Sequence, residues 1–271
     1  MPVWHYRGAS PDSVDPARSC LCQRRRPAIH RLVLWNIDLT LVDVGQVTRD
    51  ACAEAFRQVT GRPLVRLPQT AGRTDSEMFF DALALNSAEP VNPDDAQRLL
   101  ADYTEALATA FGQRAGQLTQ KGRMLPGARE ALVAVGRLPG VVQTVLTGTI
   151  KPNAITKLRA FGLDTLVDFT IGGYGSEVYP KGTLLQVARS RAAQARRVTF
   201  SEPATVYIGD SPRDVEAARI GGARSIAVAS GRAAHSELAT AGADAVLDGL
   251  ADTEAVVRAI DILTRPERAV K

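Results

Sequence analysis

The chain has 271 residues, 45% hydrophobic and 23% charged, which suits one large α/β domain or a domain with a smaller insertion around a sizeable core. No apolar run approaches a bilayer span, which points away from a helical membrane protein. The net charge is a modest +4 and much of it sits near the N-terminus, where Arg24 to Arg26 leave a nucleic-acid reading open but a solvated or disordered tail is expected, since aromatic interleaving is absent.

Residues Met1 to about Ala28 carry Arg7, Arg18, Arg24, Arg25 and Arg26 among Pro, Ser and Gly, with no periodic apolar pattern. We expect residues 1–28 to form a disordered basic extension, because too little apolar surface is available to order them. The extension lacks the apolar stretch of a secretory signal. Cys20, Cys22 and Cys52 complete neither a zinc site nor a disulfide framework, so a reducing, cytoplasmic setting is expected.

The stretch Leu32 to Leu41, LVLWNIDLTL, organises the rest of the chain. Leu32 to Trp35 is a short apolar run suited to a strand buried on both faces of a parallel sheet. Asn36, Asp38 and Thr40 come next at alternate positions, so in an extended chain all three would point one way from the strand's C-terminal end. Open α/β sheets bind ligands at that edge.

Asp43 to Gln46 is then expected as a turn and Thr48 to Val59 as a helix capped by Thr48 and ended at Gly61-Arg62-Pro63. After a loop through Gly72-Arg73-Thr74-Asp75, Ser76 to Leu85 is a short helix. Asn92 caps the longest helical pattern, with Pro93 at its first position and Asp94 and Asp95 in its first turn, running to about Arg114. Helices without a convincing strand thus fill Asp43 to about Gly122, which predicts a helical insertion over 44–122.

From Leu125 the pattern alternates. Helices are expected from Pro126-Gly127 to Gly136, Asn153 to Phe161, Gly182 to Ala195, Arg213 to Ile220 and Thr253 to Leu263; strands at Val141 to Leu146, Phe169 to Gly172, Thr205 to Ile208, Ser225 to Val228 and Ala245 to Leu247. Such alternation argues a parallel sheet with right-handed crossovers.

Polar clusters fall at the expected strand ends. Thr147-Gly148-Thr149 offers a hydroxyl and backbone N–H groups near a helix start, suited to a phosphoryl oxygen or to capping. Lys181, one of only five lysines, opens a sheet-flanking helix after Val178-Tyr179-Pro180 and could neutralise phosphate charge. In Gly209-Asp210-Ser211-Pro212-Arg213-Asp214 the spacing brings two carboxylates to one strand end, where a divalent cation would relieve their repulsion. Oxygen ligands with room for water suit Mg²⁺, although Asp214 could also serve the helix dipole.

These clusters, in this order, resemble the haloacid dehalogenase-like superfamily, whose phosphatases carry D-x-D-x-T, then a Thr or Ser, a Lys, and G-D-x-x-x-D. The resemblance spans about Arg31 to Leu263, and Gly72-Arg73-Thr74-Asp75 with Leu125-Pro126-Gly127 looks like the phosphoglycolate-phosphatase and β-phosphoglucomutase-like branch. It implies a parallel Rossmann-like core over 29–43 and 123–271 with an α-helical cap over 44–122. Its implied activity is Mg²⁺-dependent hydrolysis of a small phosphomonoester, with neither a nucleic acid nor a membrane as partner. The resemblance would make Asp210 a Mg²⁺ ligand supported by Asp214. Asp38 would give its carbonyl to the metal and its side chain as general acid and base. Thr147, Gly148 and Lys181 would hold the phosphoryl group, and Arg73 would reach the substrate's other end or form a structural ion pair.

One position departs from the pattern. Asn36 stands where the family has the aspartate that attacks phosphorus, and a neutral amide oxygen is a poor nucleophile although it can still ligate a metal. The sequence therefore leaves two functions open: a phosphatase-like hydrolase working without the covalent route, or a catalytically silent protein that binds a phosphorylated ligand or regulates. No feature of the sequence selects the substrate or an oligomeric state.

Overall fold

The computed structural model describes residues 30–68, 72–86, 92–177 and 181–265. The N-terminal extension with Cys20, Cys22 and Arg24 to Arg26, and the segment Val178 to Pro180, lie outside the described residues. Strand β1 (Arg31–Trp35) leads through the two-residue β2 (Val42–Asp43) into helices α1 (Gly45–Thr60), α2 (Asp75–Leu85), α3 (Pro93–Gln113) and α4 (Leu118–Lys121). The chain returns through β3 (Arg123–Met124), α5 (Ala128–Gly136), β4 (Val141–Val145), α6 (Lys151–Ala160) and α7 (Lys181–Arg196). It finishes with β5 (Thr205–Gly209), α8 (Pro212–Gly221), β6 (Arg224–Val228), α9 (His235–Thr240), β7 (Ala245–Leu247) and α10 (Thr253–Leu263).

The main sheet is parallel in the order β4-β1-β5-β6-β7, so β1 is flanked on both sides and its apolar run is buried on both faces. Val33 and Trp35 join a cluster with Leu132 and Ile260, on α5 and α10; Leu32 and Leu34 join one with Leu184, Leu185, Ala188 and Ala218, on α7 and α8. Alternate side chains of one strand thus reach different layers, the result of a period of two. No helix among the described residues is long and apolar enough to cross a membrane.

The helical insertion leaves and re-enters the core through an antiparallel pair, Val42 with Met124 and Asp43 with Arg123. Two-residue strands are too short to show a period, which is why the sequence suggests only a turn there. Phe79 stacks on Tyr103 with centroids 4.2 Å apart and meets Phe56 edge-on at 6.4 Å, so the insertion has an aromatic centre. Cys52 sits beside it, and burial first, then Asp75, pushes its thiol up to about 12, which leaves it inert.

Several expectations need correction. Helix α1 begins at Gly45 with Val44 as its cap, so Thr48 lies inside the helix, and its hydroxyl is buried without a partner. Phe169 to Gly172 is not a strand: the chain there makes only a single bridge, Leu146 to Gly173, and the Tyr174 hydroxyl bonds the Phe169 carbonyl. Asp168 accepts from the Thr170 backbone and hydroxyl, a local turn that competes with strand pairing. By contrast, Asn92 caps α3 through Asp95 N as its sequence predicts.

Candidate active site

The tips of β1, β4 and β5 are fastened together. Trp35 pairs with Val145 on one side and Ile208 on the other, Asn36 N donates to the Ile208 carbonyl at 2.8 Å, and Leu146 N donates to the Trp35 carbonyl at 2.9 Å. Asn36, Thr147 and Asp210, which succeed these strands, therefore come out at one edge. Lys181, from the first turn of α7, reaches the same place: its Nζ lies 2.6 Å from Asp214 Oδ1 and 3.3 Å from Asn36 Oδ1. All five side chains are buried.

The two carboxylates of the β5–α8 turn meet different surroundings. Asp214 Oδ1 accepts from Lys181 and from the Tyr207 hydroxyl at 2.8 Å, and Oδ2 accepts from Asp210 N, Ser211 N and Ser211 Oγ at 3.2, 3.0 and 2.7 Å. Burial alone would raise its pKa, but the Lys181 ammonium and these donors hold it below the ordinary carboxylate range. Lys181 thus supplies the counter-charge that the sequence assigned to a metal, and Asp214 orients both Lys181 and the turn. Asp210 Oδ1 accepts only from Asn36 Nδ2 and Thr40 Oγ1, both at 2.9 Å. Burial, and then its neighbour Asp214, raises Asp210 to about 7.

Asp38 departs from the alternation expected of an extended chain. After Trp35 the backbone turns: Thr40, Leu41 and Val42 all donate to the Ile37 carbonyl, and Leu39 takes φ +59°, a left-handed conformation costly for a branched residue. The Ser230 hydroxyl holds this turn at the Leu39 carbonyl, 2.7 Å away. Asn36 and Thr40 consequently face Asp210, whereas the Asp38 carboxylate turns aside to Lys157 Nζ, 2.8 Å from each oxygen, and to Thr149 Oγ1 at 2.9 Å. Its side chain stays 39% exposed while that of Lys157 is 1% exposed, so the carboxylate sits at the mouth and the ammonium beneath it.

Sequence reasoning missed Lys157. A signal was there: α6 buries Asn153, Ala154, Lys157 and Leu158, and a lysine on such a stripe needs an anionic partner. Thr147 is buried, with its Oγ1 accepting from Thr149 N at 3.1 Å, which caps the turn and leaves the hydroxyl proton for another acceptor.

The insertion closes onto this edge through the loop before α2. Asp75 N donates to the Gly148 carbonyl at 2.7 Å, Asp75 Oδ2 accepts from Ile150 N at 2.9 Å, and Ser76 Oγ donates to the Gly175 carbonyl at 2.7 Å. Gly148 is pressed by main chain, since a Cβ there would lie 1.9 Å from the Arg73 carbonyl oxygen. It therefore serves this contact. Arg73 is ion-paired with Asp81 of α2, the structural partnership that was one of its two expected roles. Thr74 and Glu77 form a reciprocal capping box at the start of α2.

Burial raises Asp75 to about 6, against the lowering influence of Lys157 and Ile150 N. A carboxyl that holds its proton more tightly when folded makes the protein lose stability as pH rises from about 4 to about 6. Relative to wild type, Asp75→Asn should therefore gain up to about 3 kcal/mol between pH 4 and pH 7, read from urea midpoints. Parallel profiles would contradict this burial.

Among the described residues no group of three or more His, Cys, Asp or Glu is placed to hold a metal. The oxygens that do converge are mixed: the Asp210 carboxylate and the Asp38 carbonyl, each 2.9 Å from Asn36 Nδ2. If the Asn36 amide turned over, its own oxygen would join them, giving a hard-donor set that suits Mg²⁺.

The model of the family described as haloacid dehalogenase-like hydrolase matches residues 33–219. No curated protein matches the chain. Among solved structures, a hydrolase from Pseudomonas syringae superposes with a TM-score of 0.59 at 22% identity, covering 84% of this chain and 98% of its own. A predicted phosphatase from Clostridium acetobutylicum gives 0.60 at 15% identity over 85% and 100% of the two chains. A predicted phosphoglycolate phosphatase from Haemophilus somnus gives 0.55 at 18% identity over 86% and 100%. At these identities the likeness is one of fold.

Proposed function

Because the chain belongs to the haloacid dehalogenase-like hydrolase family, we propose that its site receives a small phosphomonoester and works as a Mg²⁺-assisted, phosphatase-type hydrolase. The observation that carries this is Lys181. A buried ammonium held by Asp214 and aimed at Asn36 beside Thr147 is a fixed positive pole at a sheet edge, suited to a phosphoryl oxygen.

The Thr147 hydroxyl has a proton to donate to a second phosphoryl oxygen. Asp38, half-exposed and steadied by Lys157 and Thr149, is the group placed to take the proton of an attacking water, while the leaving oxygen takes its proton from solvent. Mg²⁺ would be held by Asp210, the Asp38 carbonyl and the Asn36 amide oxygen, and when bound it supplies charge neutralisation at the phosphoryl oxygens. With an amide at position 36 the covalent route is closed, so hydrolysis depends on Asp38 deprotonating an attacking water and is slow.

A second function is favoured by a specific observation: both ends of the Asn36 amide are engaged, its nitrogen with three oxygens and its oxygen with Lys181. An amide held this way suits a protein that binds a phosphorylated ligand without turning it over. Release of phosphate from p-nitrophenyl phosphate and a panel of sugar and glycolate phosphates, with Mg²⁺, separates the two. Slow, Mg²⁺-dependent release abolished by Asp38→Asn is the expected result. Binding of a phosphate ester with no release would establish the silent alternative, and neither binding nor release would remove both.

A further inference from the structure

The surroundings of Asn36 Nδ2 are those of a cation. It lies 2.9 Å from the Asp38 carbonyl oxygen, 2.9 Å from Asp210 Oδ1 and 3.3 Å from Thr40 Oγ1. Thr40 donates its own proton to Asp210, so its lone pairs are what face the amide. Three oxygens thus converge on one nitrogen inside a buried site.

The amide's orientation is dictated by these neighbours. Its oxygen faces Lys181 Nζ at 3.3 Å; the reversed amide would set nitrogen against an ammonium and oxygen against a carboxylate and a carbonyl. Reversal gives up four contacts, three at the nitrogen and one at the oxygen.

Charge counting leads to the same place. Asp214 is paired with Lys181 and Asp38 with Lys157, which leaves Asp210 as the one carboxylate among these groups without an ionic partner. With asparagine at position 36 and every group ionised, the three carboxylates and two ammonium groups sum to −1, and an aspartate there would make the sum −2 and crowd a fourth carboxylate against Asp210. The amide removes that repulsion and donates where the added charge would have needed neutralising.

We propose that the Asn36 amide takes the place of a divalent cation in assembling this site, so that the protein binds a phosphate group with no metal present. The proposal rests on the phosphomonoester-binding function above and adds the condition under which binding occurs. Lys181 and Thr147 remain the anion's donors, and Asn36 holds Asp210 and the Asp38 turn in position beneath them. Mg²⁺ enters only by turning the amide over, so it is needed for hydrolysis and not for binding.

Titration calorimetry with inorganic phosphate tests this on the full chain, once in EDTA and once with saturating Mg²⁺. The expected result is wild-type phosphate binding already present in EDTA, together with a loss of about tenfold or more for Asn36→Asp in EDTA that Mg²⁺ restores. Wild-type binding that appears only with Mg²⁺ would overturn the proposal and leave the phosphomonoester function standing. An absence of binding in both conditions would overturn both. The wild-type comparison decides the matter by itself if Asn36→Asp does not fold, as judged by circular dichroism.

Discussion

Asn36→Asp is expected to raise Mg²⁺-dependent hydrolysis of p-nitrophenyl phosphate by about 10⁴ to 10⁶-fold, the range by which removal of a nucleophile slows other enzymes. The rest of the site is already arranged for the gain. Lys181 stands 3.3 Å from the Asn36 side-chain oxygen, Asp210 lies beside the same residue, and Asp38 keeps its own pairing with Lys157. An aspartate at position 36 would supply an anionic oxygen able to attack phosphorus, splitting the reaction into formation and hydrolysis of an acyl phosphate. A covalent phosphoryl adduct detected by mass spectrometry would accompany the gain. A folded, Mg²⁺-binding Asn36→Asp protein with unchanged turnover would show that something other than the missing nucleophile limits the chemistry.

The second large effect concerns stability as well as binding. Lys181→Met leaves the Asp214 carboxylate without its ionic partner at a position where the two side chains are 6% and 3% exposed. Breaking a buried pair by removing one member costs about 3 to 5 kcal/mol, because the remaining charge is stranded. For a protein of this size that corresponds to a fall in melting temperature of about 10 °C. Combining Lys181→Met with Asp214→Asn removes both charges and should recover most of the lost stability, while phosphate binding stays absent because its donor is gone. A double variant that regains phosphate affinity along with stability would show that Lys181 acts only as a structural counter-ion.

Much of this was legible in the sequence. The runs Leu32 to Trp35, Val206 to Ile208 and Ile226 to Val228 are apolar throughout because those strands are covered on both faces, and that makes them stand out from their polar flanks. The edge strand β7 and the helix α10 have the bounds their patterns predict, Ala245–Leu247 and Thr253–Leu263, since Asp252 caps the helix through Ala255 N. Phe169 to Gly172 misled because a short stretch with alternate apolar residues also fits a partly buried turn, and only its neighbours decide which forms.

The site was legible as a set of residues and not as a network. Asn36, Thr147, Lys181, Asp210 and Asp214 could be placed at strand ends, but their partners depend on distant segments. Lys157 lies 119 positions from Asp38, and Asp75 lies 75 positions from Ile150. The direction of the Asp38 side chain depends on a left-handed Leu39, a conformation that no residue preference announces. That Lys181 would satisfy Asp214 was equally hidden, since the spacing of Asp210 and Asp214 across the β5–α8 turn brings two acids together and says nothing of a lysine arriving from α7.

The most direct test of the account is where an oxyanion binds. A crystal soaked with tungstate, a strong scatterer with the shape of phosphate, should show the anion within hydrogen-bond reach of Lys181 Nζ and Thr147 Oγ1, next to the Asn36 amide. Tungstate found elsewhere, for instance in the cleft of about 790 Å³ beside Leu247, Asp248 and His235, with the Lys181 edge empty, would contradict it.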